Sequence, residues 1–287
     1  MTGISIKDKT VLVTGSNRGI GKSFVLQALA MGAKKVYATA RNESTLAELV
    51  ALNDSRLTTL SLDVSDQTQV DAAARDAKDV EILVNNSGVG GGGPIIGNAD
   101  EAPKRLEMDV NYFGPMKMST AFAPILKSNG GGAIINILSI SSLCSFAFAP
   151  GYSASKAAGH SLTQAIRAEL AKQGTLVCGV YPGPIDTDMA KNLPFEKASP
   201  DSVATHTYEA MSSAVEDIYP DPFAVEFVKQ LRTDAKAVEK SNANAAYSLP
   251  PIVAEEKRYV WWAAQNLGYL RQNSSPLWEV RNSGINS

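Results

Sequence analysis

The stretch "VTGSNRGIGKS", residues 13–23, follows an apolar run and is rich in glycine and small polar residues. Two kinds of phosphate-binding turn contain such a sequence, and the spacing of the glycines distinguishes them. A P-loop requires Gly, four residues and then Gly-Lys-Ser/Thr, but Ser16 stands five positions before Gly21 and Gly15 lies one residue too early. The remaining spacing, from Gly15 through Gly19 to Gly21, indicates a dinucleotide-binding turn in a variant of the common pattern.

The composition is that of an ordinary globular protein with room for one large α/β domain. Of the 287 residues, 44% are hydrophobic and 20% are charged, and 27 basic residues against 29 acidic ones give a net charge of −2. This balance provides no basic excess for nucleic acid or an anionic membrane surface. No apolar run reaches the roughly 18 residues of a membrane span, and the N-terminus lacks the apolar core of a signal peptide. We therefore expect a cytoplasmic protein with no nucleic-acid or membrane partner.

The cysteines and histidines are too few and too scattered for a metal centre. Cys144 and Cys178 form neither a disulfide framework nor a metal motif, and we expect both to be small core residues. His160 and His206 have no cluster of potential ligands around them in the sequence. We expect no metal site.

Short apolar runs alternate with helical segments along the chain. The strands are predicted at residues 10–13, 35–39, 57–62, 81–84, 133–138 and 176–181. The helices are predicted at residues 20–31, 43–52, 67–77, 101–113, 115–127, 152–172, 222–232 and 235–247. Residues 186–218 read as irregular and helix-prone, and no seventh strand is evident after 222–232. The alternation predicts a single-domain Rossmann fold of the α/β class, a doubly wound parallel sheet with helices on both faces.

The predicted Rossmann domain occupies residues 1–247 and is followed by a C-terminal extension, residues 248–287. All three tryptophans, Trp261, Trp262 and Trp278, lie in this extension. Disordered tails are poor in aromatic residues, so we expect the extension to dock as a lid or as an oligomer arm. A non-native appendage is the alternative.

Polar residues and glycine collect where the predicted strands end. In parallel sheets, ligands bind beyond the carboxyl ends of the strands. The N–H groups of the glycine turn and the start of the helix at Gly19 would hold a pyrophosphate at this edge. The other residues that follow strands there are Arg41, Asp63, Asn85, Ser139, Pro182 and Gly183.

Tyr152 and Lys156 open the helix predicted at residues 152–172 and lie one turn apart on the same helix face. A lysine cation favours the phenolate and lowers the pKa of a nearby tyrosine, which can then exchange a proton nearer neutral pH. Ser139, thirteen residues upstream of Tyr152, can donate its hydroxyl to a developing oxyanion. The alternative is a packed tyrosine beside a solvated lysine.

Several motifs in this order resemble the short-chain dehydrogenase/reductase family in its single-domain classical form, over about residues 8 to 235. They are Thr14-Gly15-x-x-x-Gly19-x-Gly21, Asn85-Asn86-Ser87-Gly88, Asn111, Ser139, Tyr152-x-x-x-Lys156 and Pro182-Gly183. The resemblance implies a catalytic tetrad in which Tyr152 is the general acid in reduction and Lys156 binds the nicotinamide ribose. In that tetrad Ser139 holds the substrate carbonyl and Asn111 holds a water. Hydride would pass between a nicotinamide and a carbonyl carbon.

The resemblance also implies a set of residues around the dinucleotide. Asp63 would accept from the adenine amino group, and Thr187 would bind the carboxamide. Ser87 departs from the usual alanine, a small change that we expect to be tolerated. The implied cofactor-binding residues are Gly15, Ser16, Asn17, Arg18, Gly19, Ile20, Gly21, Arg41, Asp63, Val64, Asn85, Ser87, Gly88, Tyr152, Lys156, Pro182, Gly183, Ile185 and Thr187.

The end of the second predicted strand favours NADP over NAD. An acidic residue there would bind the adenosine ribose and repel a 2′-phosphate, but residues 38–42 read Ala-Thr-Ala-Arg-Asn. Arg41 can pair with a phosphate through two hydrogen bonds, and Arg18 in the first turn is a second cation. Two solvated surface arginines are the alternative.

The residues near the expected substrate pocket are largely apolar and indicate a neutral, apolar carbonyl or alcohol substrate. They are Ile95, Leu143, Phe146, Phe148, Met189, Leu193 and Phe195. Core packing explains several of them equally well. The resemblance further implies a homotetramer or homodimer through the helices near residues 115–127 and 152–172.

Other functions are compatible with parts of the sequence. An NAD-preferring alcohol dehydrogenase of the same family and a non-catalytic dinucleotide-sensing protein are the two alternatives. Sensing relatives tend to lose the tyrosine or the lysine, and both Tyr152 and Lys156 are present. A haloalcohol dehalogenase would lack the glycine turn and carry arginine in place of Lys156.

Overall fold

Short runs of β-branched and aliphatic residues form the strands of a parallel sheet. The computed structural model describes residues 2–248, so residues 249–287 of the predicted extension, with its three tryptophans, lie outside the described residues. The strands are β1 Thr10–Val13, β2 Lys35–Ala40, β3 Leu57–Ser61, β4 Ile82–Asn85, β5 Ala133–Ile137, β6 Leu176–Val180 and β7 Asp217–Ile218. Their order is β3-β2-β1-β4-β5-β6-β7, and every neighbouring pair is parallel. This order confirms the predicted doubly wound Rossmann fold.

Both faces of the sheet are buried, because successive side chains of a strand point to opposite faces. Val11 and Val13 join one apolar cluster, whereas Leu12 between them joins the other. Ile134 and Ile135 on β5 divide in the same way. A layer of helices is therefore required on each side.

The helices supply those two layers. They are α1 Gly19–Ala30, α2 Ala47–Val50, α3 Gln67–Asp76, α4 Ala102–Met108, α5 Gly114–Ser128, α6 Pro150–Leu170, α7 Pro200–Ser212, α8 Pro222–Thr233 and α9 Ala235–Ser248. Three of them begin at a proline, a residue that suits the first helical turn. Ser199 and Asp221 cap α7 and α8 by accepting backbone N–H groups of those helices. Within residues 2–248, we find no helix that combines the length and apolarity required to cross a bilayer.

The sequence did not predict the seventh strand, which lies within the segment expected to be irregular and helix-prone. β7 ends that segment and precedes α8. Asp217 and Ile218 pair with Gly179 and Val180 of β6. A strand of two residues shows no alternation, and its pairing with a distant strand leaves no local signal.

The helical segments also differ from expectation in two places. Residues 43–52 contain a 3₁₀ turn, Glu43–Leu46, before the short helix α2. The helices predicted at 101–113 and 115–127 are joined by a π-helical turn, Asp109–Phe113. Single π turns within helices occur often at functional sites, and this one contains Asn111.

Phe122 is fully buried in the apolar cluster on the α5 side of the sheet. We expect Phe122→Ala to lower the free energy of unfolding by about 3–5 kcal/mol, because it removes buried apolar area and leaves a cavity. Urea denaturation followed by circular dichroism measures this loss. Phe113→Ala, at a position that is 39% exposed, is the control and should lower it by about 1 kcal/mol or less. Equal losses would contradict the assigned core.

Candidate active site

The glycine turn after β1 requires glycine for two different reasons. Gly15 and Gly19 have φ angles of +66° and +52°, in the left-handed region. Gly21 is required by close approach, because an added Cβ would lie 2.1 Å from the carbonyl oxygen of Gly15. The first turn of α1 thus lies directly against the loop that precedes it.

A second loop braces this turn. The Nδ2 of Asn86, after β4, donates to the carbonyl oxygens of Thr14 and Gly15 at 2.8 and 3.1 Å. The Oγ1 of Thr14 accepts the N–H groups of Asn86 and Ser87, each at 2.9 Å. Asn86 was noted only as part of a motif, and the structure shows that it joins the turn to β4. Ser87, which stands where the family usually has alanine, fits beside Gly15. Its Oγ lies 3.0 Å from the position that a Cβ of residue 15 would take.

Ser16 serves the interior of the fold. Its side chain is fully buried, and its Oγ donates to the carbonyl oxygen of Val13 at 2.8 Å. The same oxygen accepts the N–H of Thr39 at 3.3 Å, which ties the turn to β2. The Ser16 hydroxyl therefore donates and accepts hydrogen bonds within the protein.

Arg18 and Arg41 lie at the exposed rim of the turn. Arg18 forms an ion pair with Asp188, with 2.8 Å between Nη1 and Oδ2. Arg41 follows β2, and the described residues between Ala38 and Asn42 include no acidic side chain. The next carboxylate, that of Glu43, accepts the hydroxyl of Thr59 on β3.

The loops after β3 and β4 place further predicted residues at this edge. Asp63 accepts the N–H and the hydroxyl of Ser65 through Oδ1, at 2.9 and 2.6 Å. Val64 is buried against Gly114, where an added Cβ would lie 2.8 Å from its Cγ2. The Nδ2 of Asn85 donates to Asn136 at 2.8 Å, so this side chain points into the fold and not towards the sheet edge.

Ser139, Tyr152 and Lys156 converge at the carboxyl end of β5. The Nζ of Lys156 lies 5.7 Å from the ring centroid of Tyr152 and donates to the carbonyl oxygen of Ile137 at 2.7 Å. The hydroxyl of Ser139 is hydrogen-bonded to the side chain of Tyr152. Ser139 is held by the short 3₁₀ turn that it caps, since its Oγ accepts the N–H of Ser141 at 3.1 Å.

Asn111 completes this group from the π-helical turn. Its Oδ1 accepts the N–H of Val89 at 2.9 Å, and its Nδ2 donates to the carbonyl oxygen of Val89 and to Ser155, both at 2.8 Å. A Cβ added to Gly88 would lie 3.3 Å from Oδ1 of Asn111 and 3.5 Å from Nζ of Lys156. Both side chains therefore face the same glycine.

Burial governs the protonation of the two central groups. It lowers the pKa of Lys156 to about 8, against an ordinary value of 10.5. Burial also raises the pKa of Tyr152 to about 12; the nearby charge of Glu107 adds to that rise, and the hydrogen bond from Ser139 opposes it. The expectation that Lys156 lowers the tyrosine pKa is therefore wrong for this structure, because desolvation outweighs any effect of the lysine.

The loop after β6 faces the glycine turn. The carbonyl oxygen of Pro182 accepts the N–H of Ile140 at 3.1 Å, and the N–H of Gly183 donates to Asp221 at 2.8 Å. Ile185 is buried in the apolar core. Thr187 closes over the turn, since a Cβ added to Gly19 would lie 3.1 Å from its Cγ2.

Four of the seven apolar residues expected in a substrate pocket fall into two groups. Phe146 and Phe148 belong to a packed cluster with Phe227, and ring centroids of neighbours in it are 5.5 and 5.7 Å apart. Ile95 and Met189 are each 54% exposed. Core packing, the alternative reading, therefore accounts for the first group.

The residues of this edge fit a dinucleotide. Glycines 15, 19, 21 and 88 carry no side chain, so the backbone of the two loops packs closely here, against Ser87, Thr187, Asn111 and Lys156. The N-terminus of α1 points its N–H groups at the turn, which favours an anion there. Tyr152 and Lys156 would then face the nicotinamide end, and Arg18 and Arg41 the adenosine end.

Comparisons with known proteins identify the family of the chain. A family model described as short chain dehydrogenase matches residues 9–198. The chain is 35% identical over 195 residues to an uncharacterized oxidoreductase of Staphylococcus saprophyticus, covering 65% of this chain and 82% of that relative. It is 33% identical over 186 residues to a galactitol 2-dehydrogenase of Agrobacterium fabrum, covering 63% and 72% of the two chains.

A solved structure also indicates the short-chain dehydrogenase family. A short chain dehydrogenase from Burkholderia cenocepacia, crystallised in complex with NADP, is 36% identical and superposes with a TM-score of 0.79, covering 83% of this chain and 99% of that one. The fold and these similarities define an NAD(P)-dependent oxidoreductase. More narrowly, the chain belongs to the short-chain dehydrogenase family, whose model spans the chain from β1 to the loop before α7.

Lys156→Met tests the effect of burial on the lysine. Between pH 8 and 10.5 the unfolded chain binds more protons than the folded protein, because the pKa of Lys156 falls from 10.5 to about 8 on folding. The wild-type free energy of unfolding should therefore rise relative to that of Lys156→Met across this range, as measured by urea denaturation. Lys172→Met, at an exposed lysine, is measured alongside as the matched control. A difference between wild type and Lys156→Met that stays constant over this range would contradict the lowered pKa.

Proposed function

We propose that this protein reduces a neutral ketone or aldehyde to an alcohol with NADPH, through Ser139, Tyr152, Lys156 and Asn111. The observation that carries the proposal is the convergence of these four side chains beside the glycine-lined sheet edge. The reaction is reversible, and the same groups would serve alcohol oxidation.

In this proposal the chain moves the proton and the nicotinamide supplies or accepts the hydride. Tyr152 donates its phenolic proton to the carbonyl oxygen as the carbon is reduced. Ser139 turns its one hydroxyl proton from Tyr152 to the same oxygen and stabilises its developing negative charge. Both groups are held by regular structure, Tyr152 by α6 and Ser139 by a capped turn, which keeps them oriented.

Lys156 and Asn111 would support the tyrosine. A protonated Lys156, with a pKa of about 8, can bind the ribose hydroxyls and so hold the nicotinamide end beside Tyr152. Asn111 uses both of its N–H donors inside the protein and fixes the strand-end loop at Val89. Its Oδ1 retains room for a second donor such as a water.

NADP is the proposed cofactor and NAD is the alternative. Arg18 and Arg41 are exposed at the positions expected for a 2′-phosphate, and the Burkholderia relative was crystallised with NADP. Arg18 would exchange Asp188 for the phosphate. Exposed ion pairs are worth about 1 kcal/mol or less, so a doubly charged phosphate competes well for this arginine.

The proposed substrate is a neutral, apolar carbonyl compound, and the proposed assembly is a homodimer or homotetramer. The exposed apolar side chains of Ile95 and Met189 support a neutral, apolar substrate. The family resemblance supports a homodimer or homotetramer through α5 and α6. The presence of both Tyr152 and Lys156 weighs against a dinucleotide sensor without catalysis.

Tyr152→Phe should lower turnover by about 100-fold or more, because it removes the proposed general acid. NADPH oxidation at 340 nm, with a panel that includes acetophenone, benzaldehyde and cyclohexanone, measures the rate. NADPH binding, followed by fluorescence, should be retained. Tyr37→Phe, a change on β2 far from the site, should leave the rate unchanged. Near-normal turnover by Tyr152→Phe would contradict the proposal that Tyr152 is the general acid.

Arg41→Asp should shift cofactor preference towards NADH. The loss of a charge-assisted pair and the gain of a repelling carboxylate are expected to change the ratio of kcat/KM for NADPH and NADH by about tenfold or more. Arg75→Asp, an equal charge change on the exposed side of α3, serves as the control and should not alter the ratio. An unchanged ratio in Arg41→Asp would place cofactor selection elsewhere.

A further inference from the structure

Helix α4 buries a carboxyl group where most surface helices bury an apolar side chain. Glu107 is the buried residue of this helix and is only 2% exposed. Its neighbours on the helix, Lys104 and Arg105, are not buried. A charged side chain buried to this degree is costly unless its polar atoms are satisfied, so the use of each oxygen is informative.

One carboxylate oxygen holds the glycine-rich loop after β4. Oε1 of Glu107 accepts the N–H of Gly92 at 3.0 Å, and the N–H of Gly91 also donates to the carboxylate. Gly92 is buried, so its N–H would otherwise lack a partner. The carboxylate is thus the anchor of a segment, residues 90–93, that has no side chains of its own to pack.

The other oxygen has no hydrogen-bond partner among the described residues. Oε2 of Glu107 is buried and unpartnered. It lies against the start of α6, where a Cβ added to Gly151 would be 2.3 Å away. A glutamine would satisfy Gly92 equally well, so packing and loop anchoring alone do not explain a carboxylate at this position.

The anchored loop lies on the tyrosine. A Cβ added to Gly90 would be 3.1 Å from Cδ2 of Tyr152. Gly151, which contacts Glu107, directly precedes Tyr152 in α6. Glu107 therefore approaches Tyr152 from two sides, through the loop over its ring and through the first turn of its helix.

We propose that Glu107 is a positioning residue of this active site, which holds residues 90–93 over the ring of Tyr152 and places a negative charge beside the phenol. The proposal rests on the proposed function in assigning proton transfer to Tyr152. The charged and titratable groups that face this pair are Lys104 on α4 and Lys156 on α6. Burial raises the pKa of Glu107. Where the carboxyl is ionised, its negative charge favours the protonated phenol, the form that acts as an acid in reduction.

Two substitutions separate the loop contact from the charge. Glu107→Gln keeps an oxygen for the N–H of Gly92 and removes the charge, whereas Glu107→Ala removes both. The controls are Glu101→Gln and Glu101→Ala, at an exposed glutamate that precedes α4 and pairs with Arg105. Far-UV circular dichroism establishes that each variant is folded.

Hydrogen exchange of the free protein tests the loop contact without any need for turnover. Peptides that cover residues 88–98 should exchange faster in Glu107→Ala than in the wild type, and at wild-type rates in Glu107→Gln and both Glu101 variants. Unchanged exchange in Glu107→Ala would overturn the loop contact. If Glu107→Ala does not fold, the charge is still tested by Glu107→Gln.

The pH dependence of NADPH-driven reduction, with the carbonyl of the panel that the wild type reduces best, tests the charge. In Glu107→Gln the alkaline limb of kcat should move to lower pH by roughly one unit, because the phenol loses a neighbouring negative charge. A profile equal to that of the wild type and Glu101→Gln would overturn the electrostatic role. Absence of wild-type turnover would instead contradict the proposed function, and hydrogen exchange would then decide the place of Glu107.

Discussion

The approach of Gly21 to the carbonyl oxygen of Gly15 is the contact on which the site depends. With 2.1 Å between that oxygen and the place of a Cβ, any other residue at position 21 would push α1 away from β1. The turn would then lose its fit to Asn86, whose amide holds the backbone of Thr14 and Gly15. The position of the glycine turn relative to α1 and to the loop after β4 therefore depends on backbone packing at one glycine.

Much of the fold could be predicted because the strands of a parallel sheet buried on both faces are continuous apolar runs, which are easily recognised in the sequence. Apolar runs alternate with helical segments, and the sheet edge follows from where each run ends. Elements that form only through contacts with residues distant in the sequence have no such local pattern. The two residues of β7 are a strand only because β6 lies beside them, and the π-helical turn at Asn111 is set by its hydrogen bonds to Val89 and Ser155.

The structure brings Ser139, Tyr152, Lys156 and Asn111 together, but the electrostatics of this group could not be predicted from the sequence. Spacing places Tyr152 and Lys156 on one helix face, yet their pKa values depend on burial, which the sequence does not reveal. Glu107 was missed because a glutamate in a polar helix normally indicates a solvated surface. The one hint in the sequence is the glycine run that includes residues 91 and 92. Its N–H groups need an acceptor when buried, and a nearby acidic side chain can supply one.

The hydrogen bond between Asn85 and Asn136 has a consequence for how the sheet assembles. These residues are register partners on β4 and β5, and Asn136 also donates to Thr163 on α6 at 2.9 Å. A slip of one residue between the strands would turn an amide from its partner and leave it unsatisfied among apolar side chains. One register is thereby favoured for β4 and β5, which precede Asn86 and Ser139, and both strands are tied to α6, which carries Tyr152 and Lys156.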